Sequence, residues 1–451
     1  MNSSSDLPAG NPPALPAETR AARRLRAVKG MNDILPNECA VWERLEMTVR
    51  DWLRSYGYRG IRTPVLEHTA LFQRGIGAVT DIVEKEMFSF TDRLNGDELS
   101  LRPEFTAGIA RAAVEHNLTY NAPQRLFSIG PVFRHERPQR GRYRQFHQLN
   151  VEALGMHGPD IDAEMIVMLS RLWIELGLED VRLEINCLGT PIERQAHRAA
   201  LIEYFTANID LLDEDAQRRL HSNPLRILDT KNPAMQILVE RAPRLSSFLQ
   251  VDSGRHFEQV QRLLKDAGIL FTINPRLVRG LDYYNLTVFE WVTEKLGAQG
   301  TICGGGRYDG LLELLGGKPT AAIGFAIGLE RLLELWQDAG QEEDEADTDV
   351  YVVYQNEAAQ RRAFTLAEQL RDGGLNVILH VGGGGLKTQM KRADASGAML
   401  AVILGEEELS KGEATVKVLR GGESRQLTLS QDGLAESLYD LLFTTDEDDD
   451  E

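Results

Sequence analysis

Phe133-Arg134-His135-Glu136-Arg137-Pro138-Gln139-Arg140-Gly141-Arg142-Tyr143-Arg144-Gln145-Phe146 carries five arginines in the eleven positions from 134 to 144. Guanidinium is planar, always charged and able to donate two parallel hydrogen bonds, which suits it to gripping phosphates. The plain alternative for a run of charge is a solvated loop. Two details argue for a site. Arg134 lies within apolar strand sequence, where an unpaired charge is costly, so a fixed partner is expected. The chain then returns through a second strand-like run holding Gln148 and Glu152, four apart and therefore on one face. A strand, an arginine loop and a strand with polar groups on one side read as a binding site.

On the N-terminal side, Pro36 opens a helix with Val41, Leu45, Val49 and Trp52 on one face, ended by Ser55-Tyr56-Gly57-Tyr58. Arg59–Glu67 reads as a strand closed by Pro64. Strand-like runs at Met87–Thr91, Leu99–Arg102, Arg125–Val132 and Gln145–Leu154 then surround one helix, Thr106–His116. This is a sheet-dominated α+β pattern. Residues 192–268 change to helical periodicity rich in Leu, Arg, Glu and Gln, a helical insertion. Strand-like, glycine-rich sequence resumes at Phe271 and runs to Gly328, followed by a helix over Leu329–Trp336. The pattern gives a domain over 26–340, an acidic linker over 341–349 and an α/β domain with parallel strands over 350–443. Residues 1–25 read as a disordered tail and 444–451 as an acidic one, and no internal repeat is seen.

The chain has 451 residues and a formal charge of −18, which at first disfavours a nucleic-acid partner. Six of the acids lie in Glu342–Asp349 and six more in Asp446–Glu451, and without these twelve the charge is −6. The global charge therefore excludes little. Cys39, Cys187 and Cys303 have no spacing for a disulfide framework, which points to a reducing cytoplasm. No run reaches the ~18 apolar residues of a membrane span. Gly382–Gly385 before Lys387-Thr388 fails as a phosphate loop because Leu386 intervenes, and reads as a glycine turn. Gly304-Gly305-Gly306 is followed by Arg307-Tyr308-Asp309, so a dinucleotide fingerprint is missing as well. A nucleotide site here has to be built from arginines.

The arginine loop resembles motif 2 of the class II aminoacyl-tRNA synthetases, and its flanks resemble the bacterial-type histidyl-tRNA synthetases. Pro64 sits where motif 1 has its proline, and Gly324-Phe325-Ala326-Ile327-Gly328-Leu329-Glu330-Arg331-Leu332 resembles motif 3. Two segments resemble the histidyl family alone: Leu277-Val278-Arg279-Gly280-Leu281-Asp282-Tyr283-Tyr284 with Thr287–Glu290, and Gly304–Leu311. Lys29–Asp33 and Leu101–Glu104 fit too, and the resemblance spans roughly 26 to 443. It implies an antiparallel-sheet catalytic domain with the helical insertion, followed by a small α/β anticodon-binding domain.

The resemblance also implies a function, a histidine–tRNA ligase. The carboxylate of L-histidine attacks the α-phosphate of ATP, and the histidyl group then passes to the 3′ end of tRNA(His). The demand on the protein is positioning and neutralisation of charge. Arg134 and Arg279 are implied at the α-phosphate, and Arg142 and Arg331 at the outer phosphates and adenine. Mg²⁺ is implied on the phosphate oxygens, with no dedicated metal site. Glu152 and Tyr284 are implied at the two nitrogens of the substrate imidazole, with Tyr283 and Tyr308 lining the pocket. Glu104, Thr106 and Gln148 are implied at the α-amino group. Arg137 and Gln139 are implied at the tRNA acceptor end, the insertion over the acceptor stem, and Lys387, Lys391 and Arg392 in anticodon binding. A homodimer is implied, because motif 1 lies at the subunit interface in this class.

Plainer readings stand beside several of these. Glu104 is also a carboxylate at a helix N-terminus, favoured by the dipole. Tyr283 and Tyr284 would alternate across a sheet, leaving one of them for packing. His135, His147 and Asp282 are read as structural. Phe105 stands where the family pattern has glycine, so it either enters the core or reshapes the amino-group pocket. The non-enzymatic alternative is the synthetase-like regulatory subunit of ATP phosphoribosyltransferase. That subunit lacks the anticodon domain, and its motifs are usually eroded.

Overall fold

Helix α1 (Pro36–Ser55) begins on a proline whose fixed φ suits the first helical position, and the Leu35 N–H donates to the Glu38 carboxylate at 2.9 Å. Its buried face is Trp42, Leu45, Val49, Trp52 and Leu53. Val41, expected on that face, is only half-buried. The structure, a computed structural model, describes residues 25–77, 80, 82–139, 141–230, 232–296, 300–340, 348–420 and 425–443. Nearly all of the expected N-terminal tail, linker residues 341–347, the acidic tail 444–451 and Arg140 lie outside the described residues. The chain divides into two units, 1–340 and 341–451.

After α1 come β1 (Arg59–Gly60), β2 (Leu66–His68), α2 (Thr69–Ile76), β3 (Phe88–Thr91), β4 (Glu98–Leu101) and α3 (Thr106–Glu115). The long hairpin of β5 (Gln124–Phe133) and β6 (Gln145–Leu154) follows, then α4 (Pro159–Glu175) and β7 (Arg182–Cys187). Helices α5 (Pro191–Ala207), α6 (Glu214–Arg219), α7 (Gln236–Glu240) and α8 (Val251–Asp266) lead to β8 (Phe271–Ile273). The unit closes with β9 (Asn285–Val292), β10 (Thr301–Arg307), α9 (Leu311–Leu314), β11 (Ala322–Gly328) and α10 (Leu329–Asp338).

Among the described residues the main sheet has eight strands in the order β1-β5-β6-β11-β10-β9-β7-β8. It is antiparallel except at its two edges, where β1 runs parallel to β5 and β8 to β7. A smaller sheet has the order β2-β4-β3. Arg59–Glu67 is therefore not one strand. Ile61 N–H still bonds Phe127 of the main sheet, whereas the Val65 carbonyl accepts from Arg102, so the chain changes sheets across Pro64. Proline has no N–H to give a ladder, which makes that crossing point natural.

One face of the main sheet is covered by α1, α4, α8 and α10, whose Leu45, Leu169, Val260 and Leu332 pack with Val151, Ile185 and Phe325. The other face meets α3 and α9 through Phe105, Ile109 and Leu311 and carries the polar groups described below. The helical stretch 192–268 does not behave as one insertion. Leu201, Phe205, Leu220 and Leu238 form a core of their own. Phe257, Val260 and Leu264 of α8 instead join the core of the main sheet. Periodicity identifies an apolar face but not the surface it will cover.

A buried ion pair fastens β10 to that layer. Arg307 donates Nε and an Nη to Asp162 in the first turn of α4, and further to Asp309 and the carbonyls of Met156 and Gly158, at 2.5–3.1 Å. His256 of α8 reaches Asp162 from the other side at 2.7 Å. Burial disfavours the charge on Asp162, but hydrogen bonds from His256 and Arg307 outweigh it and hold the carboxyl below its usual range.

The second unit has the sheet order β13-β12-β14-β15-β16, with β12 (Val350–Tyr354), β13 (Val377–Leu379) and β14 (Leu400–Leu404) parallel. The hairpin β15 (Glu413–Val418) and β16 (Gln426–Ser430) completes it. Helices α11 (Glu357–Asp372) and α14 (Leu434–Phe443) cover one face and α12 (Leu386–Ala395) the other. A further helix, α13 (Glu406–Lys411), buries no residue and ends at Gly412 in the left-handed region. It has no apolar period by which a sequence could announce it.

Replacing Arg307 with Met leaves Asp162 buried with only His256 as a partner. The expected loss of stability is about 3–5 kcal/mol, measured by urea denaturation. A loss under about 1 kcal/mol would show the pair to be dispensable.

Candidate active site

Strands β10 and β11 are short of side chains where the site needs space. A Cβ on Gly304 would land on the guanidinium of Arg279, and a Cβ on Gly324 on the carboxylate of Glu152. Gly324 is the register partner of Glu152 on β6. The glycines thus open two adjoining compartments on the sheet.

The inner compartment is built around Glu152, which is 0% exposed. Its Oε1 accepts from the Thr106 hydroxyl at 2.6 Å, and its Oε2 accepts from the Tyr308 hydroxyl. Asn150 Nδ2 donates to the same Thr106 oxygen at 3.1 Å. The rings of Tyr283 and Tyr284 lie 4.7 Å apart, and Tyr283 is 5.5 Å from Tyr308. Burial pushes the Glu152 carboxyl up to about 8, against the opposing hydrogen bonds from Thr106 and Tyr308. Glu104 is also raised by burial, although its two oxygens accept the backbone N–H groups of Thr106 and Ala107 at 2.5 and 2.9 Å. Its plain role as a helix N-terminal carboxylate is therefore real.

The outer compartment is a cavity of about 370 Å³ onto which Arg134, Arg142, Arg279 and Arg331 converge, with Gln148 and Glu290 among its lining. Each arginine is tethered. Arg134 donates to the Pro103 carbonyl at 3.0 Å and lies 5.3 Å over the Phe146 ring. Arg331 donates to the carbonyls of Gly141 and Thr301, both at 2.9 Å. Arg142 pairs with Glu136 at 3.1 Å. Arg279 pairs with Glu290, whose other oxygen accepts from Thr301 at 3.1 Å. Burial lowers Arg331 below the usual arginine range, and the nearby positive charge of Arg142 and Arg134 adds to that. Burial disfavours the charge on Arg279 too, but Tyr284 and Glu290 outweigh it. Crowded guanidinium groups of this kind favour an anion between them.

The residues expected from sequence mostly come together. Glu104, Thr106, Glu152, Tyr283, Tyr284 and Tyr308 surround the inner compartment, and Gln148 borders the outer one. Arg137 and Gln139 are exposed at the hairpin tip and do not line the cavity. Arg134 stands just past the end of β5 rather than within it, with the Pro103 carbonyl as its fixed partner. Tyr283 and Tyr284 do not alternate across a sheet. They lie in a turn before β9, and both rings approach Tyr308. Phe105 enters the core and stacks 4.1 Å beneath Arg102. His147 bonds Glu330 at 3.0 Å, and His135 packs edge-on against Phe88.

Three residues of the site were not anticipated: Asn150, Glu290 and Thr301. Asn150 had a signal, since it falls midway between Gln148 and Glu152 at the two-residue period of one strand face. Glu290 closes the family-specific segment Thr287–Glu290, whereas Thr301 had no signal, and the importance of both lies in the partner each finds across the sheet.

Residues 30–332 match the sequence model of the histidyl-tRNA synthetase family, and residues 349–438 that of the anticodon binding domain. The chain is 63% identical to the histidine–tRNA ligase of Bordetella pertussis, over 94% of this chain and 99% of that one. It is 62% identical to that of Dechloromonas aromatica over 95% and 100% of the two chains. Among solved structures, the apo histidyl-tRNA synthetase of S. aureus superposes with a TM-score of 0.77 at 36% identity, covering 92% of this chain and all of that one. An ATP phosphoribosyltransferase regulatory subunit/histidyl-tRNA synthetase from Bacillus halodurans C shares the fold at a TM-score of 0.61 and 22% identity. It covers 84% of this chain and 97% of that one.

Glu152 makes stability depend on pH. Between its ordinary value of 4.5 and about 8 the folded protein keeps a proton that the unfolded chain has released. Its contribution is complete below pH 4.5 and is lost as pH rises towards 8. The ligand-free protein is expected to lose up to about 1.4 kcal/mol per pH unit from this group across that window. Thermal melts of the parent and Glu152→Gln proteins should diverge in slope there. Parallel slopes would mean that Glu152 is not protonated in the fold.

Proposed function

The chain belongs to the histidyl-tRNA synthetase family and acts as a histidine–tRNA ligase, and we propose that the two compartments divide that reaction between them. Histidine is activated with ATP to histidyl-adenylate and pyrophosphate and is then transferred to tRNA. The outer compartment takes the triphosphate and the inner one the amino acid. The observation that carries this division is the convergence of four tethered arginines on one cavity beside a buried carboxylate.

In the first step an oxygen of the histidine carboxylate bonds the α-phosphorus and pyrophosphate departs. Arg134 and Arg279 hold the α-phosphate from two sides, so charge on the five-coordinate phosphorus meets donors already in place. Arg142 and Arg331 hold the outer phosphates and the adenine end. In the second step a ribose hydroxyl of tRNA attacks the histidyl carbonyl and AMP leaves. Neither step calls for a protein nucleophile. Mg²⁺ would enter with the triphosphate. Of the carboxylates lining the cavity, Glu290 is engaged by Arg279 and Thr301, Glu330 by His147 and Glu136 by Arg142. The ion neutralises phosphate charge when bound, and the protein supplies few direct ligands.

Glu152 faces one imidazole nitrogen and Tyr284 the other, with Tyr283 and Tyr308 as walls. A substrate that left these groups unpaired would be rejected for that reason. At the α-amino group Gln148 is the strongest of the expected ligands, since its Oε1 is buried without a hydrogen-bond partner. Thr106 already donates to Glu152, and both oxygens of Glu104 already accept backbone N–H groups, so these two contribute through what remains.

The same reading extends to partners. Lys85, Arg218, Arg219 and Arg226 line a cleft of about 260 Å³ with Glu84 and Asp215, a net positive lining even with Asp215 paired to Arg218 and Arg219, which supports use of the insertion at the acceptor stem. Arg137 and Gln139 are kept at the acceptor end. In the second unit Lys387, Lys391 and Arg392 are exposed on α12, where they suit anticodon binding. Val65, Leu66 and Phe90 are exposed on or beside the small sheet next to Pro64, which supports a homodimer. Among the described residues no helix is long and apolar enough to cross a membrane. The three cysteines are unpaired, and a cytoplasmic location completes the proposal.

Arg279→Ala is expected to keep the fold and tRNA binding while losing roughly 10³-fold in ATP–pyrophosphate exchange with histidine. A variant retaining much of the parent rate would remove Arg279 from the α-phosphate. Light scattering of the full chain is expected to give a dimer, and a monomer would contradict the interface.

A further inference from the structure

Arg279, Tyr283 and Tyr284 all lie on one irregular segment, 274–284, between β8 and β9. The main sheet grips that segment at its start, where Glu184 of β7 accepts from Asn274 at 2.6 Å and Asn186 donates to the Leu277 carbonyl at 3.0 Å, and again through the pair of Arg279 with Glu290 of β9. Helix α2 grips it once, through the Asp282 N–H and the Ile76 carbonyl at 3.1 Å. Every further side-chain anchor described below comes from the helical stretch inserted between β7 and β8.

At the start of the segment, Arg276 donates to Gln236 of α7 at 2.9 Å. In the middle, the Arg226 guanidinium lies against Gly280, so that a Cβ there would stand 3.3 Å from it. At the end, Arg194 on α5 donates to the backbone carbonyl of Tyr284. Both Arg194 and Arg226 also act on the Asp282 carboxylate. The root of α5 is firmly set. Thr190 caps it, and Glu193 accepts from Thr190 N and the Ser253 hydroxyl, tying it to α8. Gly189 and Leu188 exchange backbone hydrogen bonds with Leu286 at 3.0 and 2.7 Å. Leu286 is held at φ 45°, a left-handed conformation that a leucine adopts only when its surroundings impose it. The exit of the segment is therefore shaped from outside.

We infer that Arg194 is a positioning residue for histidine: from the insertion it fixes the Tyr284 carbonyl, and through it the placing of both tyrosines against Glu152. This rests on the assignment of Tyr283 and Tyr284 to the histidine pocket. Arg194 is half-buried and touches neither compartment, and its guanidinium is spent on a carbonyl that no side chain of the sheet reaches. The inserted helices thus form part of the amino acid site as well as flanking it. A shift of α5 would be felt first in the affinity for histidine, and the tethers of Arg134, Arg142 and Arg331 do not involve it.

The test is ATP–pyrophosphate exchange on the full chain, with histidine and ATP varied separately, for Arg194→Met, Arg194→Lys and Tyr284→Phe. Losing a charged donor to a fixed carbonyl should raise the histidine KM about tenfold. The ATP KM, kcat and the melting temperature should stay near the parent. Arg194→Lys, which can still donate to that carbonyl, should recover most of the difference. An unchanged histidine KM in Arg194→Met overturns the inference. So does a joint loss of kcat, ATP affinity and melting temperature, or a Lys variant no better than Met. If Tyr284→Phe also leaves the histidine KM unchanged, the pocket assignment itself has failed. If it raises the KM while Arg194→Met does not, only the positioning role has failed.

Discussion

Space on the central strands is the constraint from which the rest of this structure follows. A sheet face is normally covered by a side chain at every second residue, and a buried carboxylate or guanidinium has no place to lie on it. Gly304 on β10 and Gly324 on β11 leave the backbone bare where Arg279 and Glu152 rest. Bare backbone weakens a strand by roughly 0.5–1 kcal/mol per glycine relative to alanine. Burial adds a further cost, visible in the upward shift of Glu152. Both penalties fall on the ligand-free protein. A substrate that offers Glu152 a hydrogen-bonding base, and the arginines an anion, relieves them.

Such a site needs a rigid backing, and the opposite face of the sheet supplies it. Val151, Phe325 and Ile327 of the site-bearing strands are fully or almost fully buried on that side, under α1, α4, α8 and α10. The Arg307–Asp162–His256 network closes the end of β10 against the same helices. Tyr308 follows directly and reaches Glu152, so the ion pair behind the sheet sets the hydroxyl in front of it. A buried pair is weak evidence for stability in general. Here its geometric consequence is specific, because all five guanidinium donors are matched to acceptors on three different segments.

Much of this was readable in advance wherever a local rule carried the information. The span of β6 and the start of α3 followed from periodicity, and the order of motifs pointed to the residues of the inner compartment. What was missed depended on pairing at a distance. Arg59–Glu67 looked like one strand because nothing local shows that Pro64 stands between two sheets. Helix α8 looked like part of the insertion because an amphipathic face does not name its partner. The pair Tyr283-Tyr284 looks alternating only on a two-residue period, and the chain makes a turn there. Glu290 stands in the family-specific segment Thr287–Glu290, but neither it nor Thr301 shows in sequence which partner it finds. The pairing of both residues exists only once β9 and β10 are in register and Arg279 has crossed to meet them.

The charge question resolves in the same way, by location. At physiological salt the screening length is about 8 Å, so a formal charge of −18 summed over 451 residues says little about one cavity. What acts within that distance is a cluster of guanidiniums, in which burial first and then the charge of Arg142 and Arg134 hold Arg331 below the usual arginine range. They stay together because backbone carbonyls of Pro103, Gly141 and Thr301 and the carboxylates of Glu136 and Glu290 hold them. The repulsion is therefore met during folding, before any ligand arrives. An anion entering the cavity would meet donors that need little reorganisation, and preorganised donors of this kind stabilise a transition state most effectively. An acidic protein can thus hold a strongly basic cavity, provided each arginine is tied to a backbone carbonyl or a neighbouring carboxylate and does not depend on the overall field.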